Sequence, residues 1–477
     1  MKVLCCETIP ANPHVETSAE IALTYKKKNF NVLFAYLGSD LPWTDWDLKL
    51  IYRVFGASYE KKIDKLIEIL EKKNIESFKF VKCKSEVLKK INNWSLKFYG
   101  NLDKLKHYKY KNFSLGYGVA SSLISLHEDD NFNTIKNIKL VRRLLVSSAI
   151  VLERFKQLVE QEKPNIIVTF NNRFATSLPI VLYAKYKKIK ILCHERGSNY
   201  RKYEIYETDV HNVDNTQKEI LKYWKNANKN KIKIAKNFFK KRKEGKKINI
   251  YTSKSFTKNQ KKGLKLYKSK NKRRVVYYTA RDAELSSLYF QKFNQEKKFK
   301  LLVKACNQYK DIELIVRVHP SANNFKTKDD LRWQKYSNLK NVKIIYSKDP
   351  VNSYELMKTA DIVATYTSTI IVESAYWGKP SISLGNFYYS KQKVAIHPKN
   401  YRHLVRILDK KYKFKKIKLS ETYPYAFYMS TFGKKFKFYN PIDTHNGYLF
   451  NNLLTWKSGF IKMIIFFISN FKKIIAY

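Results

Sequence analysis

Three stretches in the second half of the chain put phosphate- and sugar-binding side chains at the ends of apolar runs. In "ELIVRVHP" the run closes on Arg317, Val318, His319 and Pro320, so strand alternation sets Arg317 and His319 on one side and the proline ends the ladder. Arginine offers a permanent forked donor suited to a phosphate, and histidine donates or accepts a proton near neutrality. The alternative for Arg317 is a strand-end cation paired with a surface acid. In "DIVATYTSTIIVESAYWGKP" a short strand leads to Ser368 and Thr369, whose hydroxyls suit the start of a helix. Free amides and the positive end of the helix dipole favour a phosphate there. Glu373 follows about one turn later, placed to accept from the vicinal hydroxyls of a ribose, or else simply to complement the dipole. In "YYTARDAELSS" Arg281 is a further phosphate partner after a strand, while Asp282 reads as the cap of the next helix.

The elements that must position these residues alternate regularly. "KVLCCE", a helix in "ETSAEIALTYKKKN" and "FNVLFAYLG" form a β-α-β opening; "NIIVTF", "SLPIVLYAKYKK" and "IKILCHERG" continue it. From 273 onward the pattern restarts: strands in "RVVYYTA", "IELIVR", "NVKIIYS", "DIVAT" and "SIS" alternate with helices in "KKFKLLVKACNQYK", "NSYELMKTA" and "TIIVESAYWG". Such alternation predicts an α/β protein with two parallel-sheet domains facing a cleft, ligands lying at the carboxyl ends of the strands. The expected division is 1–215 for the first domain with a helical insertion over roughly 45–160, 216–272 for a basic helical or linker region, 273–420 for the second domain, and 421–477 for a C-terminal extension.

Composition narrows the function classes. A 44% hydrophobic fraction over 477 residues supports two cores, which excludes a disordered chain. The net charge of +54 comes mostly from lysine spread along the sequence, without a zinc-finger spacing or an RNP-like segment, so nucleic acid is not the favoured partner. An anionic membrane surface or an anionic saccharide matches the same charge. Five cysteines without a CxxC pair read as reduced residues of a cytoplasmic protein, and "MKVLCCETIP" reads as neither a signal peptide nor a membrane span. "EDD" at 128–130 reads as a solvated face and not a metal site.

The runs "RVHP" and "VNSYELMKTADIVATYTSTIIVESAYWGKPSISLGNFYY" resemble the donor half of GT-B glycosyltransferases of the capsule and surface polysaccharide type. "FNNRFATSLPIVLYAKYKKIKILCHERGS" is similar to a first-domain segment of that family, with Asn172 where a glycine is expected. The resemblance implies two Rossmann-like domains with a nucleotide-sugar donor bound to the second. Glu373 would then lie near the ribose, with Arg317, His319, Ser368 and Thr369 near the phosphates. It also implies no bound metal and no cofactor beyond the donor, the cations and helix amides stabilising the departing nucleotide. A base for the acceptor hydroxyl is then expected after the first strand, in "PANPHVETSAEIA": Glu16 first and His14 second, with Thr17 or Ser18 capping the helix. Glu16 has the alternative of complementing a helix start. Arg173, Glu195 and Arg196, at strand ends on the same edge, would shape the acceptor site.

The tail "SGFIKMIIFFISNFKKIIAY" is too short in its apolar run to span a membrane. Its polar residues Ser458, Lys462, Ser469, Asn470, Lys472 and Lys473 fall in an arc of roughly 160° on a helical wheel, as in a helix lying in the membrane interface. The alternative is a terminal helix packed on the first domain. Three functions follow in order: a cytoplasmic, peripherally membrane-associated glycosyltransferase with a saccharide or lipid-linked acceptor, a nucleotide-sugar 2-epimerase of the same fold, and a non-catalytic polyanion-binding protein.

Overall fold

The structure, a computed structural model, describes residues 1–45, 56–80, 83–207, 209–246, 260, 271–281, 283, 286, 294–320, 329–443 and 446–455. The chain forms two compact units. One comprises Met1–Leu126, Asn131–Val210 and the chain from Gly433; the other comprises His127–Asp130 and His211–Phe432.

In unit 1, strands β1 (Lys2–Glu7), β2 (Asn31–Tyr36), β3 (Glu76–Lys79), β4 (Ile166–Phe170) and β5 (Lys190–Arg196) pair in parallel in the order β3-β2-β1-β4-β5, and β6 (Lys202–Tyr206) runs antiparallel to β5. Central β1 is apolar almost throughout because both its faces are covered. Val3 and Cys5 pack with Val15, Ala19 and Ala22 of helix α1 (His14–Lys26) and with Ile63 and Leu66 of α2 (Gly56–Glu71). Leu4 and Cys6 face the other way, into Leu152 and Phe155 of α3 (Ile138–Glu162) and Ile180 of α4 (Leu178–Tyr186). Helix α1 starts at His14, so His14 and Glu16 lie in its first turn, not on a loop, and neither Thr17 nor Ser18 caps it. Thr17 Oγ1 donates to the Pro13 carbonyl at 2.5 Å, and Ser18 Oγ donates to Glu7 at 2.7 Å.

Unit 2 repeats the plan. Strands β7 (Arg273–Tyr278), β8 (Ile312–Arg317), β9 (Val342–Ile345), β10 (Ile362–Thr365) and β11 (Ser381–Ser383) pair in parallel in the order β9-β8-β7-β10-β11. The order reverses between β7 and β10, a topological switch point. Val275 and Tyr277 pack on Phe299 and Leu302, while Val276 and Tyr278 face Ile371 and Val363. The α/β architecture with two Rossmann-like parallel sheets is as expected from the alternation.

Three expectations are corrected. The 216–272 segment is not a separate linker along its described part: helices α5 (Val213–Lys225) and α6 (Lys231–Glu244) bury Ile220, Ala235, Phe238 and Phe239 in the core of unit 2, against Tyr425 and Phe427. Residues 247–259 and 261–270 of that segment lie outside the described residues. The C-terminal extension is divided too. Tyr423–Thr431 is a helix of unit 2, whereas from Gly433 the chain belongs to unit 1, where the Glu20 carboxylate accepts from the amides of Lys437, Phe438 and Tyr439 at 2.7–3.0 Å. There Lys434–Lys435 extends the sheet beside β6, and three short antiparallel strands end at Thr455. Finally, "EDD" is not a solvated face: Glu128 and Asp130 pair with Arg281 and Arg332 of unit 2. The proposed interfacial helix and Asp282 lie outside the described residues, and among those described no helix is long and apolar enough to cross a membrane.

Candidate functional site

The switch point of unit 2 opens into a pocket lined by residues from β7, β8, the loop after β10, and the helices that follow. Thr365, at the end of β10, sets the loop. Its hydroxyl donates to the Tyr278 carbonyl at 2.6 Å and accepts from the Ser368 amide at 3.3 Å. The helix α7 (Ile370–Tyr376) then begins with Thr369 as its N-cap residue, although the Thr369 hydroxyl makes no capping bond. Ser368 and Thr369 therefore present half-buried hydroxyls at the pocket wall, beside Tyr278, Thr279 and His319.

Glu373, in the first turn of α7, is buried at the pocket wall. Its Oε1 accepts from Arg242 Nη2 at 2.8 Å and Nε at 3.2 Å, and its Oε2 accepts from the Tyr354 hydroxyl. The carboxylate is thus the anchor of an ion pair and not a bare dipole complement. Burial opposes charge on Arg242, but the facing Glu373 carboxylate overrides it and holds the guanidinium above its ordinary range. Burial, then the same carboxylate, push the Tyr354 phenol well up, so it stays a proton donor.

Arg317 ends β8 as expected and reaches the same pocket, yet it is buried with its guanidinium turned to backbone. It donates to the carbonyls of Tyr346, Asp349 (3.3 Å) and Val351 (3.1 Å), tying down the loop before Asn352. Among the described residues its Nε has no hydrogen-bond partner. Desolvation brings its pKa to about 10, still a cation at neutral pH. His319 lines the pocket half-buried, its amide donating to Thr279 Oγ1 at 3.0 Å. Burial, reinforced by the positive Arg281, Arg317 and Arg242, brings its pKa to about 3, so the ring is neutral. Arg281 is not among the residues that line the pocket; it is paired with Glu128 and adds positive charge near His319.

Sequence reasoning missed Arg242, Lys243, Lys246 and Tyr354, all at the pocket. The first three flank Gly245, whose left-handed φ of 70° ends α6. A signal was present: Gly after a basic turn marks a helix end, and Ala235, Phe238 and Phe239 mark a buried stripe among the lysines.

In unit 1 the expected acceptor-side residues gather at the ends of β1, β4 and β5. Glu16, the first choice for the base, is fully buried and ion-paired with equally buried Lys62, which also donates to Asn12 Oδ1 at 2.8 Å. That carboxylate is closed to an acceptor hydroxyl, because a buried cation lies against it. His14 is buried with its ring 3.7 Å from that of Phe170; burial, then the charges of Arg196, His194 and Lys62, hold it well below the usual range, hence neutral. Glu195 accepts from Asn171 Nδ2 at 2.7 Å and the Arg196 amide at 2.9 Å, and Arg196 donates to the Asn12 carbonyl at 3.0 Å. Arg173 instead turns to Ser125 at 2.9 Å and lies over Phe174. The left-handed residue of this turn is Asn171, at φ 52°, which accounts for the tolerance of Asn172 in place of glycine. A further buried group escaped notice: Glu7 Oε1 accepts from Ser18 and meets His194 Nε2 at 2.6 Å.

A family model described as UDP-N-acetylglucosamine 2-epimerase matches residues 140–388, more than half of the 477-residue chain. The chain belongs to the UDP-N-acetylglucosamine 2-epimerase family. The matched range holds every residue of the unit 2 pocket and Arg173, Glu195 and Arg196, but not His14 or Glu16. Among solved structures, the chain is similar to the β-Kdo 2,4-transferase of KpsC from Thermosulfurimonas dismutans at 16% identity, covering 56% of this chain and 80% of that one with a TM-score of 0.38. It is similar to the β-Kdo 2,7-transferase of the same KpsC at 13% identity, covering 67% and 89%, TM-score 0.38. The UDP-GlcNAc 2-epimerase of Methanocaldococcus jannaschii, in complex with UDP-GlcNAc and UDP, matches at 14% identity, covering 89% and 98%, TM-score 0.25. No curated protein matches the sequence. The membership makes the chain one of an enzyme family of GT-B type.

Proposed function

We propose that the chain is a glycosyltransferase of surface or capsular polysaccharide biosynthesis, taking a sugar from a nucleotide-sugar donor in the unit 2 pocket and passing it to a saccharide or lipid-linked acceptor. The observation that carries the choice is the pocket's acid–base content. Glu373 is the one acidic residue among its described lining residues, and both of its oxygens are engaged. Inverting a carbon of the sugar ring requires a base to take a C–H proton and an acid to return one. The pocket offers instead cations, hydroxyls and a neutral imidazole, groups that stabilise a departing phosphate.

In this reading the Ser368 and Thr369 hydroxyls and His319 hold the phosphates, with Arg242 and Arg317 supplying positive field. Glu373, fixed by Arg242 and Tyr354, keeps acceptor capacity for a ribose hydroxyl. The acceptor oxygen bonds to the anomeric carbon as the bond from that carbon to the phosphate oxygen breaks, and the electron pair leaves with the nucleotide. The acceptor proton goes to a general base, a role that Glu16, committed to Lys62, does not fill. Action on the cytoplasmic side with peripheral contact to an anionic membrane completes the reading, and removing residues 458–477 with unchanged vesicle flotation would remove that contact.

Family membership favours a second reading, 2-epimerisation of a nucleotide sugar. The two differ at one bond. Incubation with UDP-N-acetylglucosamine in deuterated water, followed by mass spectrometry, finds no deuterium on the ring carbon if the chain is a transferase. Deuterium at that carbon, with its epimer, identifies the epimerase.

A further inference from the structure

Outside the pocket, α6 carries a second chemical feature. Lys233, Lys236 and Lys240 recur at spacings of three and four on its solvent face and are exposed. Among the described residues none of the three meets a carboxylate. They form one wall of an open groove whose other wall is Tyr376 and Trp377, at the end of α7, and whose lining includes Asn230 and Asn237. The aromatic wall is held firmly. Tyr376 stacks on buried Phe239 with centroids 3.9 Å apart, Trp377 meets Tyr376 edge-on at 4.9 Å, and Lys243 lies 4.1 Å from the Trp377 ring. Trp377 still keeps 37% of its surface open.

We propose that this groove binds an extended anionic saccharide, a site separate from the donor pocket. Each part has its chemistry. An indole plate packs against the apolar face of a pyranose, asparagine amides donate to and accept from ring hydroxyls, and a row of ammonium groups one helical turn apart meets carboxylates or phosphates repeated along a chain. Concavity and side-chain amides favour a chain in a groove over a planar lipid surface, which the lysines alone would serve as well. The proposal does not depend on the donor reading, since none of these three lysines lines that pocket.

The test uses the full chain and three probes: an oligogalacturonate, a neutral malto-oligosaccharide of equal length, and phosphatidylglycerol–phosphatidylcholine vesicles. The control for mere positive charge is the triple variant Lys297→Ala, Lys300→Ala, Lys304→Ala, which has the same helical spacing on another exposed face of unit 2. We expect Lys233→Ala, Lys236→Ala, Lys240→Ala to weaken oligogalacturonate binding about tenfold and flatten its salt dependence, while the control triple changes it less than about twofold. Trp377→Ala should weaken it about fivefold without changing the salt slope. Equal losses in the two lysine triples, or vesicle binding that responds to the groove variants while oligogalacturonate binding does not, overturn the proposal. Unchanged thermal stabilisation by nucleotide sugars in the groove triple keeps this outcome distinct from that of the donor pocket.

Discussion

Replacing Glu373 by alanine probes the joint on which the pocket is built. The side chains of Glu373 and Arg242 are 1% and 12% exposed, so neither charge is solvated by bulk water. Alanine removes the acceptor of two Arg242 donors and of the Tyr354 hydroxyl, leaving a buried guanidinium without its counter-charge. Breaking such a pair from one side costs about 3–5 kcal/mol. For a unit of roughly 150–250 residues each kcal/mol lowers the melting temperature by about 2–4 °C, so unit 2 should melt about 6–20 °C lower. Calorimetry of the full chain reads this as a shift of one transition. Replacing both partners, Arg242→Leu with Glu373→Leu, removes both desolvation costs and should recover most of the loss. A Glu373→Ala protein melting within about 2 °C of wild type would refute the claim that this pair holds the pocket wall. The same stability term means that loss of nucleotide binding in Glu373→Ala must be judged at a temperature where the variant is folded.

Two further outcomes follow from the geometry. With its pKa near 3, His319 binds no proton in the folded state above that value, whereas in the unfolded chain it titrates near about 6.5. Its contribution is therefore complete above about pH 6.5 and is lost as pH falls from there toward 3, so His319→Gln should flatten the acid limb of the stability profile. A His319 ring resonance that titrates between about pH 6 and 7 in the native protein contradicts this. Phe239→Ala, in the segment first read as a linker, should cost about 3–5 kcal/mol because the ring is fully buried against Tyr376; a surface-like loss below about 0.5 kcal/mol would restore the linker reading.

Much of the frame was legible because buried parallel strands read as mostly apolar runs. β1, β4, β7, β8 and β10 each stand out as such runs, and the reversal at β7 and β10 places the ends "RVHP" and "TYTST" at one pocket. What could not be read was pairing at a distance. The cation that holds Glu373 comes from 131 residues earlier, in a helix whose few buried residues are masked by lysine. Likewise, the residue order suggests Glu16 just ahead of a helix capped by Thr17 or Ser18 and gives no hint of Lys62, which closes on it from α2. Arg317 was placed correctly at the strand end, yet its guanidinium is spent on three main-chain carbonyls of the loop after β9, acceptors that no residue type announces.

The central claim is that the pocket of unit 2 holds a nucleotide sugar. Calorimetric titration of the full chain with CMP-, UDP- and GDP-sugars tests it directly, alongside His319→Ala. The account predicts saturable binding of one nucleotide class, weakened about tenfold or more when the His319 ring, proposed to meet the phosphates, is removed. No heat of binding with any of the three, or equal affinity in wild type and variant, would contradict it.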